Sequence, residues 1–136
     1  MNRLVVDSSV LAAVVFGEPD GERFAEQLER VTVCAPPLLK YELANVAVSK
    51  AARAPQHAPE IFGRLMAALD PARGIVWHDV DAIDIAILAH ATGLTVYDAA
   101  YLWLAGWLEA DLVTLDRELA SACGLKTEEM LPSGRS

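Results

Sequence analysis

Along the chain, short apolar runs alternate with longer stretches in which apolar side chains return every three or four positions. The first pattern fits buried strands and the second fits helices packed by one face. Arg3-Leu4-Val5-Val6 predicts a strand. A helix from Val10 to Phe16 follows, capped by Asp7 or Ser8 and ended by Gly17. Pro19-Asp20-Gly21 predicts a turn with Asp20 as a cap. The next helix, Glu22 to about Arg30, places Phe24, Ala25 and Leu28 inward and Glu22, Glu26 and Glu29 toward solvent. Val31 to Ala35 reads as a second strand, after which Pro36-Pro37 opens a long helix to about Arg53. Pro55 to Pro59 reads as a connection, and Glu60 to Leu69 as a helix that Asp70-Pro71 stops. Ile75-Val76-Trp77 predicts a strand, and Asp81 to Thr92 a helix ended by Gly93. Beyond it lie a brief extended stretch at Thr95-Val96, a helix from Asp98 to Leu108 and a strand from Leu112 to Leu115. The pattern closes with a helix from Asp116 to Ala122, an edge strand at Leu125-Lys126-Thr127 and a tail over 132–136.

Short strands alternating with helices imply an α/β fold: a parallel sheet of four to five strands with helices on both faces. No repeat or linker divides the chain, so one domain over residues 1–131 is expected. In such folds ligands bind beyond the carboxyl ends of the strands. Asp7 and Asp116 fall directly after predicted strands and should face that crevice.

Composition narrows the classes. Hydrophobic residues make up 54% of the 136, enough for a packed core. No apolar run approaches the roughly 20 residues that cross a bilayer, and the first one meets Asp7 too early for a signal peptide. No membrane role and a cytoplasmic location are therefore expected. Cys34 and Cys123 fit no metal-binding spacing and read as buried thiols. Eleven basic against nineteen acidic residues give a net charge of −8. That argues against non-specific nucleic-acid binding, which rests on basic surface. A local basic rim is compatible with it, from Lys40, Lys50, Arg53 and Arg117, and an acidic surface also suits a basic protein partner.

Four acids stand at the ends of, or inside, apolar elements: Asp7, Glu42, Asp98 and Asp116. Half-buried carboxylates repel one another, and a hard divalent cation such as Mg²⁺ or Mn²⁺ answers that charge with oxygen ligands. Each acid also has an ordinary role open to it. Asp98 and Asp116 start helices, where aspartate is a common cap. Glu42 continues with Asn45 and Ser49 as a polar stripe on an apolar helix, and it has solvent, Lys40 or Arg53 as other partners. Ser9 and Thr114 lie two residues from Asp7 and Asp116, where their hydroxyls serve either a carboxylate or an ordinary turn. Asp79, Asp81 and Asp84 suit a helix N-terminus, with Asp81 as its cap. His57, His78 and His90 read as structural or surface residues.

Taken together the motifs resemble a known family. Val5-Val6-Asp7-Ser8-Ser9-Val10-Leu11, Pro36-Pro37-Leu38-Leu39-Lys40-Tyr41-Glu42-Leu43-Ala44-Asn45-Val46, Tyr97-Asp98-Ala99-Ala100-Tyr101-Leu102-Trp103-Leu104-Ala105 and Leu112-Val113-Thr114-Leu115-Asp116-Arg117-Glu118-Leu119-Ala120 are similar, in order and spacing, to the motifs of PIN-domain ribonucleases. The VapC toxins of bacterial toxin–antitoxin pairs match best, over residue 3 to about 131. The resemblance implies a PIN-like three-layer fold. It also implies an Mg²⁺- or Mn²⁺-dependent endoribonuclease that leaves a 3′-hydroxyl and a 5′-phosphate. Asp7, Glu42, Asp98 and Asp116 would be the catalytic, metal-binding acids, and Ser9, Asn45 and Thr114 supporting residues. Transfer or ribosomal RNA as substrate, an antitoxin inserting a basic side chain among the acids, and a homodimer are further implications. Two departures stand out: Trp103, where the family often has a small residue with Trp107 one turn on, and the strong acidic balance. The tryptophans fit either core or an exposed partner surface. A catalytically silent RNA- or protein-binding module, and another metal-dependent phosphate hydrolase, are the alternatives. Ser9 two residues after Asp7 disfavours a haloacid-dehalogenase-type phosphatase, and no glycine-rich nucleotide loop is present.

Overall fold

Leu4, Val5 and Val6 are buried at three successive positions, so both faces of their strand are covered. The computed structural model describes residues 2–123, and within them the sheet is parallel and its strands short. β1 (Arg3–Val6) leads into α1 (Ser8–Val15) and α2 (Gly21–Leu28), then β2 (Thr32–Ala35) and the long α3 (Leu38–Arg53). A 3-10 turn (Pro55–His57) joins α3 to α4 (Ala58–Leu69), and a second (Pro71–Arg73) precedes β3 (Val76–Trp77). α5 (Ala82–Thr92), α6 (Val96–Leu108), β4 (Asp111–Val113) and α7 (Arg117–Ala122) complete the order. The four-stranded sheet flanked by seven helices among the described residues is the α/β architecture expected.

Strand order is β3-β2-β1-β4. Val5 pairs with Cys34 on one side and Leu112 on the other, and Val6 with Val113. The chain steps outward from β1 to β3, then returns to the opposite side of β1 for β4. The order therefore reverses between β1 and β4, which is where an open α/β sheet forms its crevice. Beneath it lies a core that includes Val5, Val10, Phe24, Leu39, Leu43, Tyr101, Leu104 and Leu119.

Several boundaries differ from expectation. Thr95 alone is extended. It caps α6 by accepting from Asp98 N–H at 3.1 Å, so Val96 already belongs to the helix and Asp98 is not the cap. β4 is Asp111–Val113, so Asp116 lies past a short turn rather than at the strand's end. α2 starts at Gly21, and α4 at Ala58 inside the expected connection. Asp20 pairs with Arg23 at 3.2 Å instead of making a side-chain cap. The Leu125–Thr127 strand and the 132–136 tail lie outside the described residues.

Both cysteines are free thiols, Cys34 buried and Cys123 partly so. Trp103 and Trp107 stack with centroids 5.4 Å apart. Trp103 packs on the core while Trp107 is exposed. Among the described residues no single helix is long and apolar enough to cross a membrane; α5 and α6 qualify only together, across a 107° bend.

Candidate active site

Asp7 leaves β1 at the crevice and is 4% exposed, one of two buried polar residues among those described, in a shell of aliphatic side chains. A carboxylate buried this deeply needs its lone pairs occupied. Val10 N–H donates to Oδ1 at 3.3 Å, which makes Asp7 the cap of α1. Ser9 Oγ donates to the same oxygen at 2.6 Å, and Thr114 Oγ1 donates to Oδ2. Both hydroxyls are themselves anchored. Ser9 Oγ accepts from Leu115 N–H at 3.0 Å, and Thr114 Oγ1 from Asp116 N–H at 2.9 Å. Asp7 is thus tied through two hydroxyls to the turn that carries Asp116.

Glu42 stands one turn into α3, between the buried Leu39 and Leu43. Tyr101 of α6, itself buried, donates its hydroxyl to Glu42 Oε1, and Ser8 bonds the same carboxylate. Asp98 is half-buried in the first turn of α6. Asp116 is exposed and caps α7, its Oδ1 accepting from Glu118 N–H at 2.9 Å and Leu119 N–H at 3.1 Å.

Charge links the four. Burial is the main reason the Asp7 carboxyl is held above its ordinary range; its hydrogen bonds oppose the rise and Asp98 adds to it. Burial likewise raises Glu42, with Asp7 and Asp98 contributing and the Tyr101 and Ser8 hydroxyls opposing. Asp98 is raised by burial first, then by Asp116 and Glu118. The Tyr101 phenol is pushed far up, by burial and by its bond to Glu42. Asp98 thus acts on both Asp7 and Glu42, Asp7 acts on Glu42, and Asp116 acts on Asp98.

Of the supporting residues expected, Ser9 and Thr114 hold Asp7, whereas Asn45 is exposed on α3 and bonds none of the acids. Asp79 is exposed, and Asp81 caps α5. Lys40 lies over the Trp77 ring at 4.8 Å. The sequence pattern did not single out Tyr101, Ser8 or Glu118. Tyr101 had a signal, since it lies three residues after Asp98 and shares its helix face.

An all-carboxylate donor set fits a hard divalent ion better than a soft one. Its raised carboxyls are the groups such an ion would relieve. Spacing is looser than chemistry: among the described residues no three His, Cys, Asp or Glu side chains are gathered into a metal-ligand group.

The family model of the PIN domain matches residues 4–125. Ribonuclease VapC3 of Pyrobaculum aerophilum is 36% identical over 125 residues, which span 87% of this chain and 92% of that protein. Two solved structures share the fold. PAE2754 from Pyrobaculum aerophilum superposes with a TM-score of 0.62 at 24% identity, covering 96% of this chain and 94% of its own. Mycobacterium tuberculosis VapC20, described as a sarcin-ricin loop cleaving toxin, has a TM-score of 0.62 at 16% identity, covering 91% of this chain and 97% of its own.

Proposed function

The chain belongs to the PIN-domain family, and we propose that it is a metal-dependent endoribonuclease of the VapC toxin kind. The observation that carries this reading is the set of acids around buried Asp7, with Asp98 raising both Asp7 and Glu42, at the carboxyl end of a parallel sheet. Asp7, Glu42, Asp98 and Asp116 would hold Mg²⁺ or Mn²⁺. A bound cation lowers the pKa of water and offsets charge on the scissile phosphate.

The protein's own share is orientation. Ser9, Thr114 and the Val10 amide fix both oxygens of Asp7. Tyr101 and Ser8 hold Glu42. Asp116 spends Oδ1 on its cap, which leaves Oδ2 for a ligand. No histidine takes part: His57 is on a 3-10 turn, His78 follows β3 and His90 lies on α5. Their positions support general-base chemistry through the acids rather than through imidazole.

The same acids suit a basic antitoxin side chain as inhibitor, and the net charge of −8 favours a basic partner. A second copy of the chain as partner is supported by exposed Ile83 and Ile87 on α5. A cytoplasmic site of action fits the RNA substrate, for which transfer or ribosomal RNA is the class proposed.

A binding module that keeps its acids without cutting is favoured by one observation, the loose spacing of the carboxylates. Purified, partner-free protein incubated with total RNA decides between them. Discrete fragments with Mg²⁺ or Mn²⁺, absent in EDTA and reduced about 100-fold or more in Asp98→Asn, are the expected result. Intact RNA under every condition favours the binding module.

A further inference from the structure

One group of side chains takes no part in the acid site. Lys50 and Arg53 at the end of α3, His57 on the 3-10 turn and Arg64 on α4 line a cavity of about 440 Å³, closed on one side by Phe16 and Gly17. Three of the chain's eleven Lys and Arg residues meet here, in a protein of net charge −8. Three other cations are engaged elsewhere: Arg3 donates to the Leu108 carbonyl, Arg23 pairs with Asp20 and Lys40 lies on Trp77. Within the cavity, Lys50 is 3.8 Å from Glu18 and Arg64 is 3.1 Å from Glu60. Both pairs are partly exposed and hold their cations weakly. Arg53 forms no ion pair among the described residues and is exposed. Gly17 has φ +69, and a Cβ there would lie 3.3 Å from Arg64 Nη1.

Its position relative to the acids gives it meaning. α1 and α3 lie side by side. Ser8 bonds Glu42 at one end, and Phe16 sits under Lys50 at the other, with the ammonium 5.9 Å from the ring. Eleven residues separate Glu42 from Arg53. That is close to three full turns, so Arg53 returns to the face of Glu42 about 16 Å away. Asn45 and Ser49 lie between them on nearly the same face, and both are exposed. The polar stripe on α3 is thereby a track with carboxylates at one end and, at the other, a basic cavity in which Arg53 has no ion pair among the described residues.

We propose that the basic cavity at the α3–α4 corner binds an RNA backbone phosphate a few nucleotides from the cut, with Asn45 and Ser49 lining the strand's path. This rests on the nuclease reading for its direction, not for its chemistry. A single strand suits the geometry, since the track is one helix wide and single-strand binders follow the backbone with cations. Arg53 would act by positioning the strand, without touching the reacting phosphate.

The test uses the whole chain carrying Asp98→Asn, the variant expected to cut poorly, and fluorescent single-stranded oligoribonucleotides of about 4 and about 12 nucleotides. Adding Arg53→Gln should raise Kd for the long oligomer about 10-fold. It should also lower the salt slope of log Kd by about 0.7, the value for one phosphate contact on a single strand. The short oligomer should be unaffected, and Arg53→Lys should regain most of the loss. A long-oligomer Kd and salt slope unchanged by Arg53→Gln would overturn the proposal. So would Arg53-dependent binding of an oligoglutamate with none of RNA, which would make an acidic peptide the ligand. Cleavage by the unsubstituted chain is scored in parallel. Arg53-dependent binding without cleavage keeps the corner and removes the nuclease. Cleavage with Arg53-independent binding does the reverse.

Discussion

Tyr101 shows how much one hydroxyl carries. Its ring is in the core and its oxygen holds Glu42, so Tyr101→Phe keeps the packing and removes only the orientation. Loss of a partner that orients a ligating carboxylate costs about 10-fold or more in metal affinity or activity. Cleavage in Tyr101→Phe should fall by that scale while the melting temperature moves little, and a titration of Mg²⁺ against rate should show a higher half-saturation. Asp7 was legible in the sequence because a carboxylate directly after a buried strand is costly unless a ligand or a set of donors meets it. Tyr101 was not, because an aromatic on an apolar helix reads as core, and it is core; only the hydrogen bond to Glu42 on α3, 59 residues away, ties it to the acids. Asn45 shares nearly the face of Glu42 by helical spacing, but it is exposed where Glu42 is half-buried.

Among the elements, the strands and helices were legible because their hydrophobic periods are unmixed, and the ends were not, because caps depend on local bonds. Thr95 illustrates this. Both Thr95 and Asp98 are cap residues by type, and the hydroxyl takes the role by accepting from Asp98 N–H. Thr95→Ala should cost about 1 kcal/mol in a denaturant melt, and should lower activity too, since Asp98 starts from that turn. The contact between α1 and α2 was hidden for another reason. Gly21 looked like a turn glycine, yet it opens α2 against α1, where a Cβ would fall 2.1 Å from the Ala13 carbonyl oxygen. Gly21→Ala should therefore destabilise by about 3 kcal/mol, the upper range of overpacking. In contrast, Gly63→Ala on α4, with open space at its Cβ, should be neutral or slightly stabilising. Thermal unfolding of the two variants side by side checks the contrast.

For the whole molecule, the acid site opposes folding stability when no cation is bound. Asp7, Glu42 and Asp98 are all raised above their ordinary values, by burial first and then by neighbouring carboxylates. A carboxyl raised in the folded state favours folding most when it is protonated. That contribution is fully present below the unfolded values of 3.8 and 4.5, and it is lost as pH rises through the higher folded values. At neutral pH the metal-free protein therefore carries repulsion that a neutral side chain would remove. Asp98→Asn should melt higher than the unsubstituted protein in EDTA, by a few degrees at pH 7 and by progressively less as pH falls toward 4. Saturating Mg²⁺ should reverse the order, because an ion held by the intact acids adds about 2.7 kcal/mol at a hundred times its Kd. Equal ionic strength from Na⁺ should not reproduce the reversal, since screening reaches buried groups poorly. Thermal melts of both proteins across pH 4–7, in EDTA and in Mg²⁺, give the four curves required. If Asp98→Asn melts lower than the unsubstituted chain in EDTA at pH 7, Asp98 is a structural residue and the electrostatic account of the site fails with it.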